Sequence, residues 1–255
     1  MASRDAGMTS RFARVTCLLI ASTLIGCASG DRTTPGTGPS ASEPQDSSTR
    51  DVMGLPDFAP LEPGTYFIDP DADSSTPLRV VYEVPVGGWS MWIGAAKFTD
   101  NGHVGVSITT VTNLVRDGCR DHGPADPPVG PTVEDLTTAL SDLAPFEVTS
   151  PPGSVNIDGY QGKHLELTVP DLPVEGQGDD RRFTRCIGGD LKSWIAPEAL
   201  GGTFYGYTGP GYTEELWILD VGGTRVMIAA GSSPGSSPTD LAELRAILES
   251  IRIEA

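Results

Sequence analysis

Four groups of residues have types and spacings that can support chemistry. Gly231-Ser-Ser233-Pro-Gly235 has the form G-x-S-x-G of a nucleophile elbow. That elbow needs the residue after the serine to lend its backbone N–H to an oxyanion, and here it is Pro234, which has none. The segment also leads into a Ser/Pro/Gly linker rather than directly into a helix, so it reads as a loop. The three histidines, His103, His122 and His164, lie in no local metal motif such as H-E-x-x-H. They read as solvent-exposed side chains, and a triad assembled across the fold leaves no local spacing to find. Asp69, Asp71 and Asp73 set carboxylates at i, i+2 and i+4, as calcium loops begin, but Ser74 and Val80 replace the glycine and bidentate glutamate of an EF-hand. They are a weak calcium candidate, with a solvated acidic turn as the alternative. Finally, Trp194 and the run Phe204-Tyr-Gly-Tyr-Thr-Gly-Pro-Gly-Tyr212 gather flat rings on a Gly-rich segment. Trp194, Tyr205, Tyr207 and Tyr212 are candidate contacts for a sugar or other ring, with outward tyrosines at sheet edges as the plainer alternative. No catalytic residue, metal site or cofactor is expected.

The N-terminus gives an address. Residues 1–14 carry Arg4, Arg11 and Arg14 against Asp5, and the 11 residues Val15–Ile25 are uncharged. Such a run is too short for the ~30 Å hydrocarbon core and fits a signal-peptide h-region. It ends in Leu24-Ile25-Gly26-Cys27, which resembles the lipobox of bacterial lipoproteins. That resemblance implies a signal peptide over 1–26, removed by cleavage before Cys27, with a diacylglyceryl group on the Cys27 thiol. Two or more acyl chains anchor stably where one is marginal. Residues 28–50 contain no large apolar side chain, cannot bury enough surface to order themselves, and read, with the lipidated Cys27, as a tether reaching ~25 Å.

Residues 51–255 suffice for a single extracytoplasmic domain with a real core. The formal charge is -17, and removing a leader of net +2 leaves -19. A surface so acidic disfavours nucleic acid and is repelled by anionic headgroups, so the expected membrane contact is the lipid on Cys27 at the outer face of the cell membrane. Export places Cys119 and Cys186 in an oxidising compartment, and a Cys119–Cys186 disulfide is expected. It would close a loop worth ~4 kcal/mol in the chain-entropy model.

The elements that must position these residues begin as strands. Residues 64–68, 78–84 and 89–99 are β-prone, and 103–112 alternates Val104, Val106 and Ile108 with Gly105, Ser107 and Thr109, as a half-buried strand does. Thr132-Val-Glu-Asp135 has the shape of a capping box before the stripe Val133, Leu136, Leu140 and Leu143. Leu165, Leu167 and Val169 mark another strand. Gly222-Gly223 joins residues 215–221 and 224–230 as a central hairpin. Ser237, Pro238 and Asp240 open a last helix with the stripe Leu241, Leu244, Leu248 and Ile251. The expected fold class is α+β, an antiparallel β-sheet with two or more helices packed on it.

Pro63-Gly-Thr-Tyr-Phe-Ile-Asp69, residues 129–136, Asp158–Val169, Leu216–Arg225 and Leu248–Ile253 together resemble uncharacterised exported lipoproteins of high-GC Gram-positive bacteria. The order of strands, helix, strands, hairpin and terminal helix is similar to PsbP-like domains. Neither resemblance supplies catalytic residues. The expected function is a non-catalytic binding or accessory module of the cell envelope, its partner an envelope protein or small ligand. The alternatives are an envelope hydrolase or transferase with a spatially assembled site, and a purely structural interaction domain. A cleft with a perturbed His or carboxylate pair would mark an enzyme, and an apolar pocket a carrier.

Overall fold

A computed structural model of the protein describes residues 49–99, 102–176, 181–202, 204–207 and 209–255. Cys27, the leader and the tether up to residue 48 lie outside the described residues. The chain opens with β1 (Arg50–Asp51), β2 (Pro60–Leu61), β3 (Gly64–Ile68) and β4 (Arg79–Val84). Next come β5 (Trp89–Trp92), β6 (Gly94–Thr99), β7 (Gly102–Thr110), β8 (Asn113–Asp117) and β9 (Asp121–Pro124). Helix α1 (Val133–Ser141) precedes β10 (Glu147–Ile157) and β11 (Tyr160–Thr168). Short strands β12 (Val174–Glu175), β13 (Arg182–Phe183), β14 (Leu191–Ile195) and β15 (Phe204–Tyr207) lead to β16 (Thr213–Val221) and β17 (Thr224–Ser232). Helix α2 (Pro238–Glu249) and β18 (Arg252–Glu254) close the chain.

The largest sheet has the order β10-β11-β16-β17-β7-β6-β5-β2. Two four-stranded sheets, β1-β3-β4-β18 and β15-β14-β8-β9, and the pair β12-β13 complete the structure. Among the described residues strand accounts for 48% and helix for 14%. This overturns the expected α+β class of an antiparallel sheet with helices packed on it: the fold is sheet-rich, with four sheets and only two α-helices among the described residues. The helices were visible because their apolar stripes are regular. The strands that change the class hide their signal. β10 contains Pro151 and Pro152, is mostly exposed and shifts register twice against β11, as an edge strand with bulges does. β14 and β15 have only 5 and 4 residues, too few for a period to declare itself. The expected single strand over 89–99 is a hairpin, because Gly94 takes φ 132° and turns the chain back after Ile93.

The central hairpin forms as expected, with Gly222 at φ 60° and Gly223 at φ 92°, the positive pair that matches strand twist. Thr132 Oγ1 accepts from the Asp135 backbone N–H at 3.1 Å while Asp135 Oδ2 accepts from that of Thr132 at 2.9 Å, closing the capping box. Of the stripe expected on α2, Leu244 and Ile251 are buried and Leu248 packs against the core, but Leu241 does not turn inward. Lys97 of β6 pairs with Asp240 at 2.6 Å and Glu243 at 2.8 Å, so Asp240, Leu244 and Ile247 turn inward and Leu241 is exposed. Val106, Ile108, Leu136, Leu140, Val226 and Ile247 are among the fully buried side chains of the main core. No helix among the described residues is long and apolar enough to cross a membrane.

Candidate functional site

Successive residues of a strand point to opposite faces. On β7, Val104, Val106 and Ile108 face the main core, so His103, Gly105 and Ser107 face the other way. Register brings Ala96 opposite Gly105 and Phe98 opposite His103. Small residues at 96, 105 and 107 leave this face of a large sheet low, with aromatic rings standing around it. The result is a cleft of about 1210 Å³ whose lining includes Phe58, Trp92, Phe98, His103, Tyr205 and Tyr212.

The rings form a continuous chain. Phe58 lies 5.4 Å from Trp92 and 5.9 Å from Phe98, Phe98 lies 5.7 Å from His103, and His103 lies 5.1 Å from Tyr212. Phe58 and Phe98 are 54% and 52% exposed, so these rings are free to meet a ligand. The Tyr212 and Tyr205 hydroxyls are 3.0 Å apart. Tyr212 lies across β17, where a Cβ on Gly231 would fall 1.8 Å from its hydroxyl oxygen. The first glycine of the G-x-S-x-G run therefore admits a tyrosine and does not form an elbow. Ser233 Oγ accepts from the His103 backbone N–H at 3.0 Å, and the Ser233 N–H donates to His103 O at 2.9 Å.

Behind the wall sits a buried acid. Glu214 of β16 is 1% exposed. The Tyr207 hydroxyl donates to its Oε2 at 2.5 Å, and Trp194 Nε1 lies 3.5 Å from Oε1. Ser193 Oγ is 2.9 Å from the Tyr207 oxygen. Burial pushes the Glu214 carboxyl up to about 7, and the two hydrogen bonds only partly offset it. Burial also pushes the Tyr205, Tyr207 and Tyr212 hydroxyls well up, so they act as neutral donors and acceptors.

The four aromatic candidates come together. Trp194 stacks on Tyr205 at 4.6 Å, and Tyr207 meets both Tyr205 and Tyr212 edge-on. Only Tyr205 and Tyr212 line the cleft; Trp194 and Tyr207 are buried supports. Nor is the aromatic run all loop, since residues 204–207 pair with β14. Cys119 and Cys186 form the expected disulfide, with Cα atoms 4.4 Å apart. It ties the β8–β9 turn to the segment before β14, and so braces this wall.

The histidines and aspartates part company. His103 is not the exposed side chain expected: it is half-buried between Phe98 and Tyr212, and burial lowers its pKa. His122 Nε2 lies 3.0 Å from Gly118 O, and His164 sits against Trp217 and Glu215. Asp71 and Asp73 accept from the backbone N–H groups of Asp73 and Ser75, while Asp69 faces Arg79 at 3.5 Å. These carboxylates close a turn, and no metal-holding group of three or more His, Cys, Asp or Glu occurs among the described residues. Phe58, Trp92, Phe98, His103 and Arg181 were missed as site residues. Their one signal, small residues at Ala96, Gly105 and Ser107, becomes legible only when the β6–β7 register is known. No family model, curated protein or solved structure matches the chain.

Proposed function

We propose that the protein is a non-catalytic binding module of the cell envelope that holds an apolar ligand in the aromatic cleft and is tethered to the outer face of the membrane by lipid on Cys27. The observation that carries the binding reading is the unbroken chain of rings from Trp92 to Tyr212 over a floor of small residues. Exposed rings that touch one another in a concave site are a binding feature, because an isolated monomer gains nothing by leaving them wet. The catalytic alternative is less well supported. The carboxyl of Glu214 lies under tyrosine rings and off the cleft surface, and Ser233 Oγ is held by backbone. The resemblance of the leader to a lipobox supports the address.

The binding reading is tested with N-phenyl-1-naphthylamine, a neutral aromatic probe that fluoresces in apolar sites. Full-length chain should bind it, and Trp92→Ala with Phe98→Ala should weaken binding by about tenfold, the worth of ~1.4 kcal/mol of lost ring contact. Equal binding by the double variant would remove the cleft from the argument. The address is tested by phase partition: Cys27→Ala should leave the detergent phase, and a variant that stays there sinks the lipid anchor.

A further inference from the structure

We infer that the cleft's ligand is a single-chain lipid acid, its hydrocarbon laid along the rings and its carboxylate held by Arg181. This rests on the binding reading above and narrows it. The chain carries 34 acidic residues against 17 basic ones, so a wall drawn at random from its surface would contain carboxylates. Among the described residues the lining contains no Asp, Glu, Asn or Gln, and its one formally charged side chain is Arg181. Burial lowers the His103 imidazole's pKa, which disfavours its charged form. Among the described lining residues a cationic ligand finds no counter-charge. Among the same described residues a sugar finds platforms without the carboxylates and amides that commonly hold pairs of hydroxyls. An apolar body with one anionic group fits the rings and the guanidinium that the described lining presents.

The position of Arg181 supports the same reading. Its Nη1 would be 2.7 Å from a Cβ on Gly209, which places the guanidinium against the glycine-rich wall opposite the β6–β7 floor. The guanidinium has no hydrogen bond or ion pair to any described residue. Its planar fork matches a carboxylate with two parallel N–H donors, a geometry an ammonium cannot offer. About 1210 Å³ exceeds the ~300–1,000 Å³ of usual small-molecule pockets, and leaves length for an acyl chain. The acidic remainder of the surface opposes an approaching anion and Arg181 is exposed, so the expected gain from the charge is modest.

The test compares cis-parinaric acid, a fluorescent fatty acid, with its neutral methyl ester on the full-length chain. Wild type should bind the acid about fivefold tighter than the ester, the upper range for a solvent-exposed ion pair. Arg181→Gln should abolish that preference while changing ester affinity by less than about twofold. Equal affinities in wild type, or a preference that survives Arg181→Gln, overturn the lipid-acid inference; continued binding of N-phenyl-1-naphthylamine would show that the binding reading survives it. Failure to bind all three probes would overturn both.

Discussion

The protein has two cores built on different physics. The main core gathers aliphatic side chains from the largest sheet, both helices and β4, with Val80, Ile108, Leu140, Val226 and Ile247 fully buried. The second is small: Cys119, Val169, Phe183, Cys186, Leu191, Tyr207 and Tyr212. It abuts the buried carboxyl of Glu214, and a disulfide runs through it. The first core is held by apolar area and close packing. The second has too little aliphatic surface for that, so a covalent link and a network of hydroxyls take over. Through Tyr212, and Tyr205 packed against it, the second core supplies part of the cleft wall. The site therefore borders the smaller core, where polar tips are already gathered.

The largest expected effect separates the two cores directly. Cys119→Ser with Cys186→Ser should lower stability by ~4 kcal/mol, from a link across 67 positions, and should also abolish probe binding, because the β14–β15 wall loses its brace. Ile108→Ala in the main core should cost ~3 kcal/mol and leave affinity for N-phenyl-1-naphthylamine within about twofold while the protein is folded. Urea titration with and without probe measures both. If Ile108→Ala abolishes binding in the folded protein, the two cores are not separable.

A smaller effect probes the acid at the boundary. Glu214 is raised to about 7 from the ordinary carboxyl value of 4.5, so between these values the folded state holds a proton that the unfolded state has released. The extra stability is full below pH 4.5 and is lost as pH rises through about 7. From pH 5 to pH 8 wild type should lose ~2 kcal/mol more than Glu214→Gln, which cannot titrate. Parallel stability–pH curves for the two proteins would mean that the carboxyl is not sealed, and would weaken the contrast between its polar surroundings and the dry main core.

How much was legible follows the same division. Wherever aliphatic residues repeat with a period, as at Leu136 and Leu140 or along β16 and β17, the sequence pattern points to the element and its buried face. The Gly222-Gly223 turn, the Thr132 capping box and the Cys119–Cys186 pair are equally local or forced by elimination. The second core and the cleft are not. They depend on which strands lie side by side: Ala96 against Gly105, Phe98 against His103, Glu214 against Gly231. A lone Phe58 between turns or a glutamate in an apolar strand has no period to betray it. The aromatic run at 204–212 was visible as composition, but composition could not say which rings would be sealed in and which left wet.

The smallest expected effect on stability falls at the site itself. Phe98 is 52% exposed and touches Phe58 and His103 only along the rim. Truncating it removes little that folding had buried, so Phe98→Ala should shift stability by less than ~0.5 kcal/mol, as surface changes do. The same change opens the chain of rings in its middle, between Phe58 and His103, and should weaken N-phenyl-1-naphthylamine binding about three- to fivefold, or ~0.6–1 kcal/mol for one ring. Paired thermal melts and fluorescence titrations read both numbers from one preparation. A large loss of stability with unchanged binding would make Phe98 a structural residue and return the rim to the main fold. A loss of binding at constant stability would show a residue kept exposed at no gain to the fold, which is what a ligand contact must be.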